Sequence, residues 1–185
     1  MRTFIAIDLS PEIKARLALL VERLAPLSRE VKWVRQDGMH LTLKFLGEVD
    51  DGQAARVEDL LQTIAPMCDP IPMTVKGTGS FPPGSRSPKV LWVGVEAGPS
   101  LASFQEEVEG GCEKLGFVRE DRPFRPHLTL GRVKSPSGLG PVLSAFEQSR
   151  DESFGEMPVR RLTFFQSRLR PGGAEYSILR EFPFK

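Results

Sequence analysis

Apolar residues recur along this chain at two spacings, the two-residue step of strands and the 3.6-residue step of helices. Thr3 to Leu9 is a short apolar run that predicts a buried strand. Ser10-Pro11-Glu12 marks a helix start, with Ser as N-cap, Pro at the first helical position and an acid near the positive helix end. Ile13, Leu17, Leu20 and Leu24 then form one apolar stripe that runs up to Pro26. Val31 to Val34 predicts a strand, and after the turn-forming Asp37-Gly38 so does Met39 to Val49. Asp51 to Ile64 reads as a second helix, ended before Pro66.

The following stretch repeats this grammar. Pro72 to Phe81 and Lys89 to Val95 predict strands joined by a loop of Pro, Gly, Ser and Arg over 82–88. Ser100 to Leu115 reads as a helix with Leu101, Phe104, Val108 and Cys112 on one face and Gly116 closing it. Phe124 to Val133 predicts a strand, Gly138 to Ser149 a helix, and Val159 to Leu169 with Glu175 to Phe182 a hairpin around Pro171-Gly172-Gly173. Strands followed by a helix thus occur twice, with no long linker between. The expectation is an α+β fold in which residues 1–185 form one bilobal domain. Each of two pseudo-symmetric lobes would be an antiparallel sheet with helices on its outer face, and a central cleft would lie between them.

Composition narrows the range of partners. Twenty-five basic residues against 24 acidic ones leave a net charge of +1, so any attraction for phosphate must be local. A broad nucleic-acid-binding surface would show a basic excess. Cys68 and Cys112 form no C-x-x-C and no disulfide framework, which fits idle thiols in a reducing cytosol. Asp8 interrupts the first apolar run before it reaches signal-peptide length, and no stretch approaches the roughly 20 apolar residues of a membrane span. The expected setting is the cytoplasm, with no membrane partner and a monomeric state.

The candidate chemistry lies in the two histidines, the chain's only ones. Each opens the same tetrapeptide, His40-Leu41-Thr42-Leu43 and His127-Leu128-Thr129-Leu130. Strand alternation turns His40 and Thr42 to one face and Leu41, Leu43 and Phe45 to the other, with Lys44 on the histidine's side. The same parity pairs His127 with Thr129. It sends Arg132 to the opposite face, from which only a bulge or its long side chain would bring it back. Two imidazoles and two hydroxyls facing one groove suit a phosphodiester. A neutral histidine takes a proton from the attacking oxygen, a protonated one gives a proton to the departing oxygen, and hydroxyls hold the non-bridging oxygens. Such a pair needs no metal, and its rate peaks between two apparent pKa values.

Other readings are weaker. A histidine in an apolar strand is commonly structural, and Thr alternating with Leu is ordinary strand composition. Duplication of both polar residues in register counts against that reading. A two-histidine zinc site lacks a third ligand at a recognisable spacing. Cys112 falls on the apolar stripe of its helix, and no serine stands in a G-x-S-x-G turn. Gly77-Thr78-Gly79 and Gly110-Gly111 match no phosphate-loop pattern, and the latter reads as a weak point in a helix.

With these residues in place the chain resembles the 2H phosphoesterases, named for paired H-x-T-x motifs. Within them it is most similar to the RNA 2′,3′-cyclic phosphodiesterases, also called 2′-5′ RNA ligases. The likeness covers Arg2 to Ile7, Val31 to Val34, His40 to Gly47 (HLTLKFLG), Val90 to Val95, Arg122 to Val133 (RPFRPHLTLGRV) and Ala174 to Pro183. It implies a bilobal fold and hydrolysis of RNA-terminal 2′,3′-cyclic phosphates to 2′-phosphates without a cofactor, with 2′-5′ ligation as the reverse reaction. By position, His40 would be the proton donor and His127 the proton acceptor, while Thr42, Thr129 and Arg132 would bind the phosphate. The expected partners are RNA or oligonucleotide ends bearing a cyclic phosphate, or small cyclic nucleotides. Phe81 and Arg86, at the Pro-rich loop, are candidates to meet the nucleotide. A catalytically silent nucleotide- or RNA-binding module is the alternative.

Overall fold

Thirteen regular elements follow from these patterns in a computed structural model that describes residues 1–185. In chain order they are β1 (Arg2–Asp8), α1 (Pro11–Leu24), β2 (Val31–Trp33), β3 (His40–Glu48), α2 (Asp51–Ile64), β4 (Ile71–Phe81) and β5 (Val90–Glu96). They continue with α3 (Gly98–Lys114), β6 (His127–Val133), α4 (Gly140–Gln148), β7 (Ser153–Val159), β8 (Arg161–Arg170) and β9 (Gly173–Pro183). Local chemistry sets the helix starts. The Ser10 hydroxyl accepts the Ile13 N–H, and Asp50 with Gln53 forms a reciprocal capping box at α2.

The strands assemble into two antiparallel sheets, one ordered β3-β1-β8-β9 and the other β2-β6-β5-β4-β7. Neither sheet belongs to one half of the chain. The first takes β8 and β9 from the C-terminal end, and the second takes β2 from the segment between α1 and β3. Helices interlock in the same way: α1 packs on β7 and α4, while α3 packs on α2, β3 and β4. The result is the expected α+β fold of two pseudo-symmetric lobes. A single core of 38 buried residues joins the helix-covered faces of both sheets, Ile5, Leu41 and Phe164 in one and Val93, Leu128 and Val159 in the other.

Three details depart from the sequence reading. Strand β6 begins at His127 rather than Phe124, because the segment over 117–126 runs without ladder pairing. Strand β7 was not expected. It carries Pro158 and pairs only with β4 at the sheet edge, where a residue without an N–H is tolerated, so its composition hides it. Helix α3 runs unbroken through Gly110-Gly111. A Cβ on Gly111 would lie 2.7 Å from Leu60 Cδ1, so that glycine serves the close approach of α2 and α3.

Candidate active site

Both tetrapeptides lie on strands that carry the same irregularity. Across β1 and β3, Ala6 stands opposite Thr42 but Ile5 stands opposite Lys44, leaving Leu43 as an extra residue. Across β5 and β6, Trp92 stands opposite Thr129 but Leu91 stands opposite Gly131, leaving Leu130 extra. A bulge of this kind reverses the faces that follow it. After each tetrapeptide, therefore, the fifth residue turns into the core and the sixth turns outward.

For Lys44 and Phe45 this overturns the expectation. Lys44 is only 5% exposed and points to the helix side, whereas Phe45 is 64% exposed on the face of His40 and Thr42. For Arg132 it supplies the bulge that alternation required. Gly131 is buried and Arg132 is exposed on the same face as His127 and Thr129. Glycine is needed at 131 because a Cβ there would lie 2.6 Å from Val31 Cγ1 and 3.1 Å from the Trp33 ring. Lys32, which pairs with Arg132 across β2 and β6, adds a second exposed cation beside it.

The surroundings of the two imidazoles differ. His40 lies in an aromatic wall, stacked on Phe4 at 4.7 Å and Phe165 at 5.4 Å, with the edge of Tyr176 at 5.0 Å. Phe4, Ala6 and Phe165 form a small second cluster on this side of the sheet, apart from the main core. Burial pushes the His40 pKa down to about 4; the Asp8 carboxylate works against that shift and the Lys14 ammonium adds to it. Asp8 faces His40 across the ladder and is itself paired with Lys14 at 2.7 Å.

His127 is half-buried, flanked by the edges of Phe81 at 5.2 Å and Trp92 at 6.4 Å. Its Nδ1 lies 2.6 Å from the Arg125 carbonyl oxygen. A carbonyl only accepts, so Nδ1 carries the hydrogen and the Nε2 lone pair is left for the cleft. A Cβ on Gly79 would collide with the Trp92 indole, so the wall beside His127 depends on that glycine. No three His, Cys, Asp or Glu side chains converge as a metal-binding group.

The backbones of β3 and β6 approach within 8 Å of each other, so the two motif strands lie side by side where the two sheets meet. The model of the LigT-like phosphoesterases matches the chain twice, over residues 7–92 and 93–176. The chain belongs to the LigT-like phosphoesterase family. The RNA 2′,3′-cyclic phosphodiesterase of Archaeoglobus fulgidus is 38% identical over 183 residues, covering 98% of this chain and 99% of that protein. Its namesake in Thermotoga maritima is 36% identical over 185 residues, covering 100% of this chain and 96% of that one. A solved Thermus thermophilus structure superposes with a TM-score of 0.83 at 31% identity, covering 99% of this chain and 97% of the other.

The boundary between the two LigT-like segments falls inside β5, in a sheet built from both segments. The repeat is thus one of sequence, and the lobes it builds exchange strands. Each repeat places an aromatic residue against the other repeat's histidine, Phe165 at His40 and Phe81 at His127. Phe81 is packed and at the same time part of the site, while Arg86 is exposed in its loop. The Phe4–Phe165–Tyr176 wall and the Arg125 carbonyl were not foreseen. One signal was available for the first: Phe4 and Ala6 make β1 apolar on both faces, as expected of a strand covered on both sides. No helix of the structure is long and apolar enough to cross a membrane.

Proposed function

We propose that this LigT-like phosphoesterase hydrolyses RNA-terminal 2′,3′-cyclic phosphates to 2′-phosphates, with residues 1–185 acting as one bilobal domain. The observation that carries the reading is the matched pair of bulged strands, each presenting a histidine and a threonine to one cleft. The curated relatives bearing the name RNA 2′,3′-cyclic phosphodiesterase support the substrate class. E. coli LigT, 26% identical with a TM-score of 0.76, has been crystallised with NADP+, which supports a cleft that accepts nucleotides.

In this mechanism water attacks phosphorus opposite the ribose 3′ oxygen. The Nε2 of His127 takes the water proton, a role favoured by the hydrogen bond that holds Nδ1–H on the Arg125 carbonyl. Thr42 and Thr129 donate to the non-bridging oxygens, and Arg132 supplies charge as the phosphorane forms. The P–O3′ bond then breaks and His40 gives its proton to O3′, leaving the phosphate on the 2′ oxygen. Burial keeps free His40 neutral at pH 7, so the donor form gathers only as the anionic phosphate enters beside it. The productive state therefore carries one proton on the histidine pair. With a 5′-hydroxyl in place of water, the same steps form a 2′-5′ linkage, and their reversal cleaves one.

Product analysis tests this. A 2′,3′-cyclic nucleotide and a cyclic-phosphate-ended oligonucleotide should both give 2′-phosphates at the same rate with and without chelator. His40→Ala and His127→Ala should each lose turnover while staying folded. A 3′-phosphate product, or full activity in either variant, overturns the mechanism. Tight binding of 2′-phosphorylated ribonucleotides with no turnover would mark a silent binding module instead.

A further inference from the structure

Lys44 and Glu109 of α3 form an ion pair in which each side chain is only 4% exposed, and the bulge in β3 turns Lys44 away from the face of His40 toward that helix. Burying two charges is costly, and an apolar pair of similar volume is commonly as stable, so this pair calls for a further account. The partners show where its grip is spent. Lys44 Nζ also donates to the Val118 carbonyl at 2.6 Å, and Glu109 Oε1 accepts the Glu120 N–H at 2.9 Å. Gln105 Nε2 donates to the carbonyl of Leu43, the bulge residue, at 3.2 Å, and to Glu109 Oε2 at 3.4 Å. One buried network thus ties three things together: the bulge behind His40 and Thr42, helix α3, and the unpaired segment over 117–126.

That segment leads directly into His127 and supplies the Arg125 carbonyl that accepts from Nδ1. Its other polar anchors are the exposed Arg119, to Glu106 and Glu113, and one backbone bond at each end, Phe117 N–H to the Cys112 carbonyl and Val95 N–H to the Pro126 carbonyl at 3.3 Å, so the buried network is what holds its middle. The equivalent position on β6 is Gly131, which can make no such tie.

We infer that Lys44 and Glu109 are a positioning pair for His127: reaching from the other motif strand, they hold the 117–126 segment so that the Arg125 carbonyl fixes the His127 tautomer. Neither residue touches substrate. The inference rests on the phosphodiesterase reading for its activity assay, but not for its spectroscopic one.

The test uses the full chain carrying K44M/E109L, which replaces the pair by apolar side chains of similar length. K44Q/E109Q serves as the conservative companion, keeping groups able to hydrogen-bond Val118 O and Glu120 N. Nitrogen-15 spectra of the His127 ring at alkaline pH should show the Nδ1–H tautomer in the wild type and in K44Q/E109Q. A mixture of tautomers is expected in K44M/E109L. On a 2′,3′-cyclic mononucleotide, kcat should fall about tenfold to a hundredfold in K44M/E109L with KM changed less than about threefold, since misplacement of a general base by about 1 Å costs on that order. K44Q/E109Q should recover most of the loss. A folded K44M/E109L with wild-type kcat and an unmixed His127 tautomer overturns the proposal. Should K44M/E109L fail to fold, a wild-type tautomer together with an equally low kcat in K44Q/E109Q overturns it as well. If no variant and no wild type turns over the cyclic nucleotide, the phosphodiesterase reading has failed while the tautomer comparison still decides the positioning role.

Discussion

Phe45 and Arg132 occupy equivalent places on the two motif strands, each turned to the cleft by a one-residue bulge at the last leucine of its tetrapeptide. The cleft is therefore symmetric in its histidines and threonines and asymmetric beyond them. Past His40 it presents Phe45, backed by the buried Phe4 and Phe165, and past His127 it presents Arg132 and Lys32. The unequal roles proposed for the histidines sit within this asymmetry.

Arg132 is predicted to act on the phosphate. Arg132→Ala should lower kcat/KM on a 2′,3′-cyclic nucleotide by roughly thirtyfold, the loss of one charge-assisted hydrogen bond worth about 2 kcal/mol. Arg132→Lys should recover only part, since a point charge cannot reproduce the guanidinium fork. Steady-state kinetics decide it, and an unchanged kcat/KM in Arg132→Ala would place the side chain off the phosphate.

The pH dependence of kcat/KM reports the free protein's histidines. Burial holds His40 near 4, so a second proton reaches the pair only in that range. The acid limb of the profile should fall near pH 4, not near the ordinary histidine value of 6.5. Phe165→Ala lets water reach the ring and should move that limb upward. An acid limb near 6.5 in the wild type would contradict the desolvated setting of His40.

The same shift links stability to pH. In the unfolded chain His40 gains a proton as pH falls through 6.5, whereas the folded chain resists protonation until about 4. The neutral-state preference therefore contributes fully above pH 6.5 and is lost as pH falls from there to 4, up to about 3 kcal/mol in all. Urea denaturation at several pH values should show a steeper loss in the wild type than in His40→Gln. Parallel curves would rule out this linkage.

Gly79 is predicted to be intolerant of a side chain. Gly79→Ala places a methyl against the Trp92 indole, so either the ring or the strand must shift, at a cost of about 1–3 kcal/mol. Because Trp92 flanks His127, kcat should fall along with the melting temperature. Trp92→Leu in the Gly79→Ala background should restore stability, and an unperturbed Gly79→Ala would show that the wall is loose.

Much of the fold was legible because its signals are local. The Ser10-Pro11 cap, the stripe from Ile13 to Leu24, and the alternation in His40 to Leu43 each lie within a few residues of the structure they specify. Strand β7 was hidden because an edge strand pairs on one side only and need not alternate.

By itself, the sequence determined the two-sheet α+β class, the helix limits, and the pairing of each histidine with its own threonine, since strand periodicity acts at a range of two residues. Only the tertiary structure decided which face Lys44, Phe45 and Arg132 occupy, because a bulge is defined by the partner strand and one extra residue reverses everything after it. It also decided that His40 is walled by Phe4, Phe165 and Tyr176, and that His127 leans on the Arg125 carbonyl. Those contacts join residues from opposite ends of the chain or from unpaired backbone, and no local pattern encodes them.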